Sequence, residues 1–438
     1  MIELTPAQIA EEEKDYASLN PLQKEFFNMA LRGENLFITG SAGVGKSYLV
    51  SKIIAALNRR KRRTIVTATT GVAARNLNGF TLHHQFHLSI VDGTVKVDNE
   101  WLGDVDCLVT DEISMLNFYL LNTIGNEIKN FNPRLQIIFI GDFFQLPPVA
   151  TKEDLKILDN RGYSTSISLD KFHCFHSHTW VDFNLKTCTL TQAMRQDDQA
   201  FSTALFNLSR NTLTPEDMQY LAKTQYNTPD PEAVILACKN KTVDDINKKE
   251  LAKLSGEEKT YKALYWGEYD KDVPKYITLK VGAKVMITIN NTTEGYCNGD
   301  IGYVQSMRTT EITVKLKDGS IVMVPIFDFK TQIFENGEVE TIGGIKQLPV
   351  KLAWAMTVHK SQGQTFEKVT FLYDSGFFEG APVNRTLLYV GLSRAKNIDN
   401  VYLRIKGNLP KFCNQDILDF YEGKFETYFN KYDSVITF

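Results

Sequence analysis

The chain has 438 residues, 43% of them hydrophobic and 23% charged, with a formal net charge of −3. That length exceeds one compact core and suits two to four domains, and the charge excludes a broadly basic nucleic-acid coat while permitting a local basic groove. Six cysteines without framework spacing, no run long enough for a membrane span and an acidic Glu11-Glu12-Glu13 in place of a basic presequence lead us to expect a soluble, cytoplasmic protein with reduced thiols.

In chain order, Asn20-Pro21-Leu22-Gln23 predicts a helix start, with Asn as cap and Pro at the first helical position. Gln23 falls where its side chain reaches back to the cap, and its amide equally suits an adenine edge, offering one donor and one acceptor. The apolar run Leu36–Thr39 predicts a strand that leads into Gly40-Ser41-Ala42-Gly43-Val44-Gly45-Lys46-Ser47. This segment matches the phosphate loop G-x-x-x-x-G-K-[ST] (Walker A) in the strand-to-helix context the motif requires. Glycines let the backbone curl so that N–H groups and a helix N-terminus face phosphate oxygens. Lys46 then reaches the β- and γ-phosphates and the Ser47 hydroxyl ligates Mg²⁺, so the chain is expected to bind a nucleoside triphosphate. The basic run Arg59–Arg63 reads as a solvated helix end that complements the dipole there, or as a nucleic-acid patch.

Thr64–Ala68, Cys107–Thr110 and Leu135–Ile140 alternate with helical stretches, which predicts a parallel sheet covered on both faces. Asp92-Gly93, between Ser89–Val91 and Thr94–Val97, predicts a hairpin. Asp111-Glu112 caps the strand Cys107–Thr110; Asp111 is assigned to Mg²⁺ and Glu112 to accepting the proton of the attacking water. In Gly141–Val149, Gln145 is either a γ-phosphate sensor or a surface residue of a proline-stiffened crossover. His173, Cys174, His176 and His178 crowd together without the second half of a metal site, so they read as loop composition and not as zinc ligands.

The same grammar returns at Val234–Cys238, Val369–Tyr373 and Val401–Ile405, which implies a second α/β domain that lacks a phosphate loop. Between its halves, Tyr276–Ile289 and Glu311–Val324 are rich in β-branched residues, and Asp318-Gly319 is a hairpin turn; a small inserted antiparallel barrel is expected. Arg195 and Arg394 supply transition-state charge if the two α/β domains face each other across the nucleotide; an ordinary salt-bridge role is the alternative. Three function classes compete: an ATP-hydrolysing motor, an ATP-gated binding module and a phosphoryl-transfer kinase. A kinase has no use for the duplicated domain and its second arginine, and a pure switch could dispense with hydrolytic residues.

Taken together, Asp111–Met115, Gly141–Val149, Leu190–Gln196, Leu352–Gly363 and Tyr389–Ala395 resemble the signatures of the petite-integration-frequency DNA helicases. These belong to superfamily one, subgroup B, with the Dda and RecD types, and the motifs run over most of the chain. The resemblance implies two RecA-like P-loop domains with parallel sheets, at 1–80 with 101–185 and at 186–254 with 349–438. It also implies a β-hairpin insertion (81–100) serving as a separation wedge, and an SH3-like β-barrel insertion (255–348). It implies ATP-driven 5′-to-3′ translocation on single-stranded DNA with duplex unwinding; a translocase without strong unwinding is the alternative. Gln23 would read adenine, Gln145 and Gln362 would sense the γ-phosphate, and Arg195 and Arg394 would act as fingers. The implied DNA contacts are Thr69, Thr70, Gly71, Thr81, His83, Asn298, Thr357 and His359. Phe86 would stack on a base, or else fill the core. The implied cofactors are ATP and Mg²⁺, and the partners single-stranded DNA, DNA junctions and single-strand-binding, replication or repair proteins. The protein would act as a monomer, away from membranes.

Overall fold

The computed structural model describes residues 4–88, 95, 99–148, 152–160, 162–163, 167, 171–192, 199–269, 273–291, 293–335, 338–374, 383–406 and 414–428. The helix Pro21–Leu31 opens as its sequence predicts: the Asn20 side chain accepts from the Gln23 N–H at 2.8 Å, and the Asn20 N–H donates to Gln23 Oε1 at 3.1 Å. Six strands follow: β1 (Leu36–Gly40), β2 (Thr64–Ala68), β3 (Phe80–Thr81), β4 (Cys107–Asp111), β5 (Gln136–Ile140) and β6 (Lys186–Leu190). They form one parallel sheet in the order β3-β2-β4-β5-β1-β6. Both faces are covered, so β1 and β5 are buried at every position. Leu36, Ile38, Ile138 and Ile140 serve the core on one side, and Phe37, Ile137 and Phe139 the core on the other.

β6 is a correction. The domain boundary expected at 186 puts the whole of it in the second domain, yet Leu36–Gly40 pairs with Lys186–Leu190 residue for residue, so the first lobe runs on to Leu190. The expected hairpin at 89–97 lies outside the described residues except for Val95, which bridges Leu88 antiparallel.

The second parallel sheet starts at β7 (Val234–Ala237). Before it resumes, the chain forms β8 (Lys259–Lys262), β9 (Leu264–Gly267), β10 (Tyr276–Leu279), β11 (Lys284–Ile287), β12 (Ile301–Met307), β13 (Glu311–Leu316), β14 (Ile321–Pro325), β15 (Phe327–Glu335), β16 (Glu338–Gln347) and β17 (Val350–Leu352). These are antiparallel: a five-stranded sheet β14-β13-β12-β11-β17, a three-stranded sheet β15-β16-β9 and the pair β10-β8. In β14 Val322 and Val324 face inward between exposed neighbours, the pattern of a sheet with one wet face, and they join a separate core with Val285, Val304 and Ile345. β18 (Ala355–Thr357), β19 (Val369–Asp374) and β20 (Val401–Lys406) complete the second parallel sheet in the order β18-β7-β19-β20.

The end of the described chain returns to the first lobe, which corrects its assignment wholly to the second domain. Phe420 stacks on Phe175 at 4.4 Å and Tyr421 on Phe144 at 5.2 Å, and the Tyr428 N–H donates to the His176 carbonyl at 2.7 Å. His176 pairs with the Asp416 carboxylate at 2.7 Å. The histidine cluster is thus a docking point for the C-terminal segment, and among the described residues no His/Cys/Asp/Glu group is arranged to hold a metal.

Candidate nucleotide site and adjoining groove

In an open parallel sheet, ligands collect beyond the carboxyl ends of the strands, where the strand order reverses. β1 lies between β5 and β6, and the phosphate loop leaves its carboxyl end. Gly43 and Gly45 have φ of 83° and 84°, the left-handed region that glycine enters freely. At Gly40 a Cβ would meet the Leu190 carbonyl oxygen at 2.3 Å, so only glycine fits against β6. Gly45 precedes the helix Lys46–Arg59, whose first N–H groups face the loop. Lys46 Nζ donates to the carbonyls of Gly40 at 2.7 Å and Ser41 at 3.1 Å.

β4 ends beside this loop. Asp111 Oδ1 accepts from the Glu112 N–H at 2.8 Å, and Glu112 adopts φ 53°, ψ 39°, a left-handed backbone uncommon for a residue with a side chain and frequent at functional sites. Thr69, expected to touch DNA, instead donates its hydroxyl to the Glu112 carbonyl at 2.9 Å and so fixes this turn. Burial, then the neighbouring Glu112 charge, pushes the Asp111 carboxyl up to about 7. Burial also raises Glu112, against the opposing influence of Lys46, a hydrogen bond from Gln362 and the Arg394 charge. Two adjacent desolvated carboxyls of this kind favour a nearby cation.

β5 ends in Gly141-Asp142. Asp142 Oδ1 accepts from the Phe144 N–H at 3.0 Å, and its Oδ2 accepts from Gln145 Nε2 at 3.2 Å. Gln145 is buried, so the surface-crossover alternative is ruled out.

The second lobe reaches into this site. Gln362 Nε2 donates to Glu112 Oε2 at 3.0 Å. Tyr389, in the helix Val383–Leu392, accepts from the Ala42 N–H of the phosphate loop at 2.8 Å and donates to Asp142 Oδ2 at 3.1 Å. Arg394 is 1% exposed. Its Nε donates to the Val390 carbonyl at 3.0 Å, and its Nη1 to the carbonyls of Gln364 at 3.2 Å and Ser361 at 3.3 Å. The guanidinium therefore rests on its own lobe while its charge reaches Glu112. Arg195 lies outside the described residues. Gln23 is fully buried, and its Nε2 has no partner among the described residues, a free donor for a base edge.

Asp142 and Tyr389 were missed as site residues. Asp142 had a legible signal, since it follows its strand as Asp111 ends the neighbouring one. The role of Tyr389 was not legible, because its partners lie 347 and 247 residues away in sequence.

The expected DNA contacts separate into groups. Gly71, Thr81 and Asn298 line one groove of about 830 Å³ between the first lobe and the inserted sheets, together with His84, Phe327, Asp328 and Lys330. Thr70 caps the helix Gly71–Asn76, accepting from the Ala73 N–H at 3.2 Å. Thr357 accepts from the Lys360 N–H at 3.2 Å in the second lobe, and His359 follows there. His83 is half-buried beside His84; burial, then the His84 charge, holds its imidazole below the usual range. Phe86 is a correction: it is fully buried, edge-on to Trp101 at 5.2 Å, and no base reaches it.

Two parallel-sheet lobes, one carrying a phosphate loop and the other completing it with polar side chains, define a two-lobed P-loop nucleoside triphosphatase of the helicase class. The PIF1-like helicase model matches residues 18–211 and the UvrD-like helicase C-terminal domain model residues 352–398. The chain is 29% identical to the ATP-dependent DNA helicase Pif1 of Campylobacter jejuni, over 83% of this chain and 87% of that one. It is 30% identical to the Pif1 of a Psychrobacter species, over 85% of this chain and 66% of that one. Among solved structures, Bacteroides sp Pif1 in complex with ADP-AlF4 is similar with a TM-score of 0.76 at 27% identity, covering 94% of this chain and 99% of that one. The same protein bound to ssDNA is similar with a TM-score of 0.68 at 26% identity over the same shares. The chain belongs to the PIF1-like helicase family, and its two parallel-sheet lobes are RecA-like. Among the described residues no helix is long and apolar enough to cross a membrane.

Proposed function

We propose that the chain is an ATP-dependent DNA helicase that moves 5′ to 3′ on single-stranded DNA and separates duplex ahead of it. The observation that carries this reading is the bond from Gln362 to Glu112, which ties the assigned base to the opposite lobe. Any change in lobe separation then alters the group that activates water, and the converse holds by linkage.

In this reading Gln23 donates from its Nε2 to the adenine edge, and the loop Gly40–Gly45 with Lys46 holds the phosphates. Ser47 and Asp111 hold Mg²⁺, which when bound would neutralise phosphate charge. Glu112 takes the proton of the attacking water, oriented by Gln362. Gln145 and Asp142 sense the γ-phosphate side of the loop. Arg394, and Arg195 with it, supplies charge once the lobes close. Gly71, Thr81, Asn298, Thr357 and His359 grip the DNA backbone without reading sequence, and the two lobes alternate their grip as ATP turns over. The direction of travel, the wedge role of 89–97 and an SH3-like barrel for 255–348 follow from the family resemblance.

A strand-displacement assay on duplexes with 5′ or 3′ single-stranded tails tests this. ATP-dependent displacement of the 5′-tailed duplex alone is expected, and equal displacement of both tails, or displacement without ATP, refutes the reading. Lys46→Ala should abolish both hydrolysis and displacement.

A further inference from the structure

One face of the inserted sheets is unlike an ordinary wet surface. In β9 and β16 Trp266 lies opposite Gly344 and Leu264 opposite Lys346. Across β15, Gly344 lies opposite Lys330 and Lys346 opposite Asp328. Opposed residues of antiparallel strands share a face, so Trp266, Leu264, Lys346, Lys330 and Asp328 stand together. Lys262 precedes Leu264 across the buried Ala263, with Tyr276 opposite it in β10. Leu264 is 69% exposed, Trp266 51% and Tyr276 61%. Single exposed apolar residues are ordinary, but large ones interleaved with lysines on one face mark a binding surface. On the other face Ile345 and Phe329 of β16 and β15 are buried, while Tyr265 of β9, opposite Ile345, is 50% exposed.

This face continues the groove. Asp328 and Lys330 belong to both, and His84 of the first lobe approaches Glu268, just past Trp266, to 3.7 Å. Gly344 leaves the indole uncovered on its β16 side, because no side chain stands there. Asp328 lies 3.9 Å from Lys346, and Glu268, two residues past Trp266, faces His84, so Lys262, Lys330 and Lys346 outnumber the two acids along this surface.

We propose that this face is a stacking platform for single-stranded DNA where the strand passes the end of the groove. Bases stack on Trp266 and Tyr276, and Lys262, Lys330 and Lys346 meet the phosphates. Aromatic rings accept any base, and a basic surround tracks the backbone. An apolar protein partner would have to desolvate the lysines without a phosphate beside each. The proposal rests on the reading of the groove as a DNA track.

Fluorescence anisotropy with labelled oligothymidines of about 6 and about 16 nucleotides tests it on the full chain, on Trp266→Ala and on Trp266→Phe. Exposure of the side chain makes the substitution benign for folding. Trp266→Ala is expected to bind the short strand within twofold of the unsubstituted chain and the long strand about tenfold more weakly, with most of the loss recovered in Trp266→Phe. Equal loss at both lengths, or no loss at either, overturns the platform. So does a change in self-association with both affinities intact, which would make the face a contact between copies. Failure of the unsubstituted chain to bind either strand would instead sink the groove reading beneath it.

Discussion

The first lobe meets the rest of the molecule along two boundaries of opposite character. Against the second lobe it is close and bonded: Glu112 to Gln362, and Ala42 and Asp142 to Tyr389. Against the inserted sheets it leaves an open groove of about 830 Å³, with His84 and Glu268 facing each other at 3.7 Å. Buried polar bonds tolerate little displacement, because each orphaned group costs about 1–3 kcal/mol. A wide groove lined by backbone, small polar groups and an occasional ring tolerates sliding. The first boundary suits a switch and the second a track.

The largest expected effect breaks the switch side. Glu112→Gln keeps shape but removes the base, so turnover should fall by about 10²–10⁴-fold while nucleotide still binds; ATPase rate and equilibrium nucleotide binding measured together check this. Phe86→Ala sharpens the track side. As a core ring it should lower unfolding free energy by about 3–5 kcal/mol, with single-strand affinity of the folded protein unchanged; denaturant melts and anisotropy separate the two. Tyr389→Phe keeps the buried ring and deletes the bridge. Leaving the Ala42 N–H and Asp142 short of a partner should cost about 1–3 kcal/mol, read as roughly tenfold slower turnover.

The smallest effect lies away from both boundaries. Burial pushes the Asp15 carboxyl up, but hydrogen bonds from Lys52 and Arg59 override it and hold the carboxyl below its usual value. A depressed carboxyl binds its proton less readily folded than unfolded, so its stabilisation is present above about pH 4 and is lost as pH falls through the folded value. Asp15→Asn should remove about 1 kcal/mol at neutral pH and nothing at low pH, as thermal melts across that range would reveal.

These contrasts explain what the sequence made legible. The phosphate loop was readable because eight consecutive residues do its work, and Asp111-Glu112 because one strand end presents both. The capping reading of Gln23 is met through Oε1, and its Nε2 stays without a partner among the described residues. Phe86 misled because a ring after polar residues looks the same whether it faces water or core; the short helix Leu82–Gln85 turns it onto Trp101. β6 misled because its alternating burial carries no label of which sheet it joins. Tyr389 and the returning C-terminal segment were silent because their meaning lies in partners hundreds of residues away.

The central claim is that the second lobe acts on hydrolysis through Glu112. The direct test is a double-mutant cycle on DNA-stimulated ATP turnover with Glu112→Gln, Gln362→Ala and the pair. Gln362→Ala alone should slow turnover about tenfold, yet add nothing once Glu112 is already replaced. Fully multiplicative losses in the double variant would show that the two residues act independently, and would contradict the account.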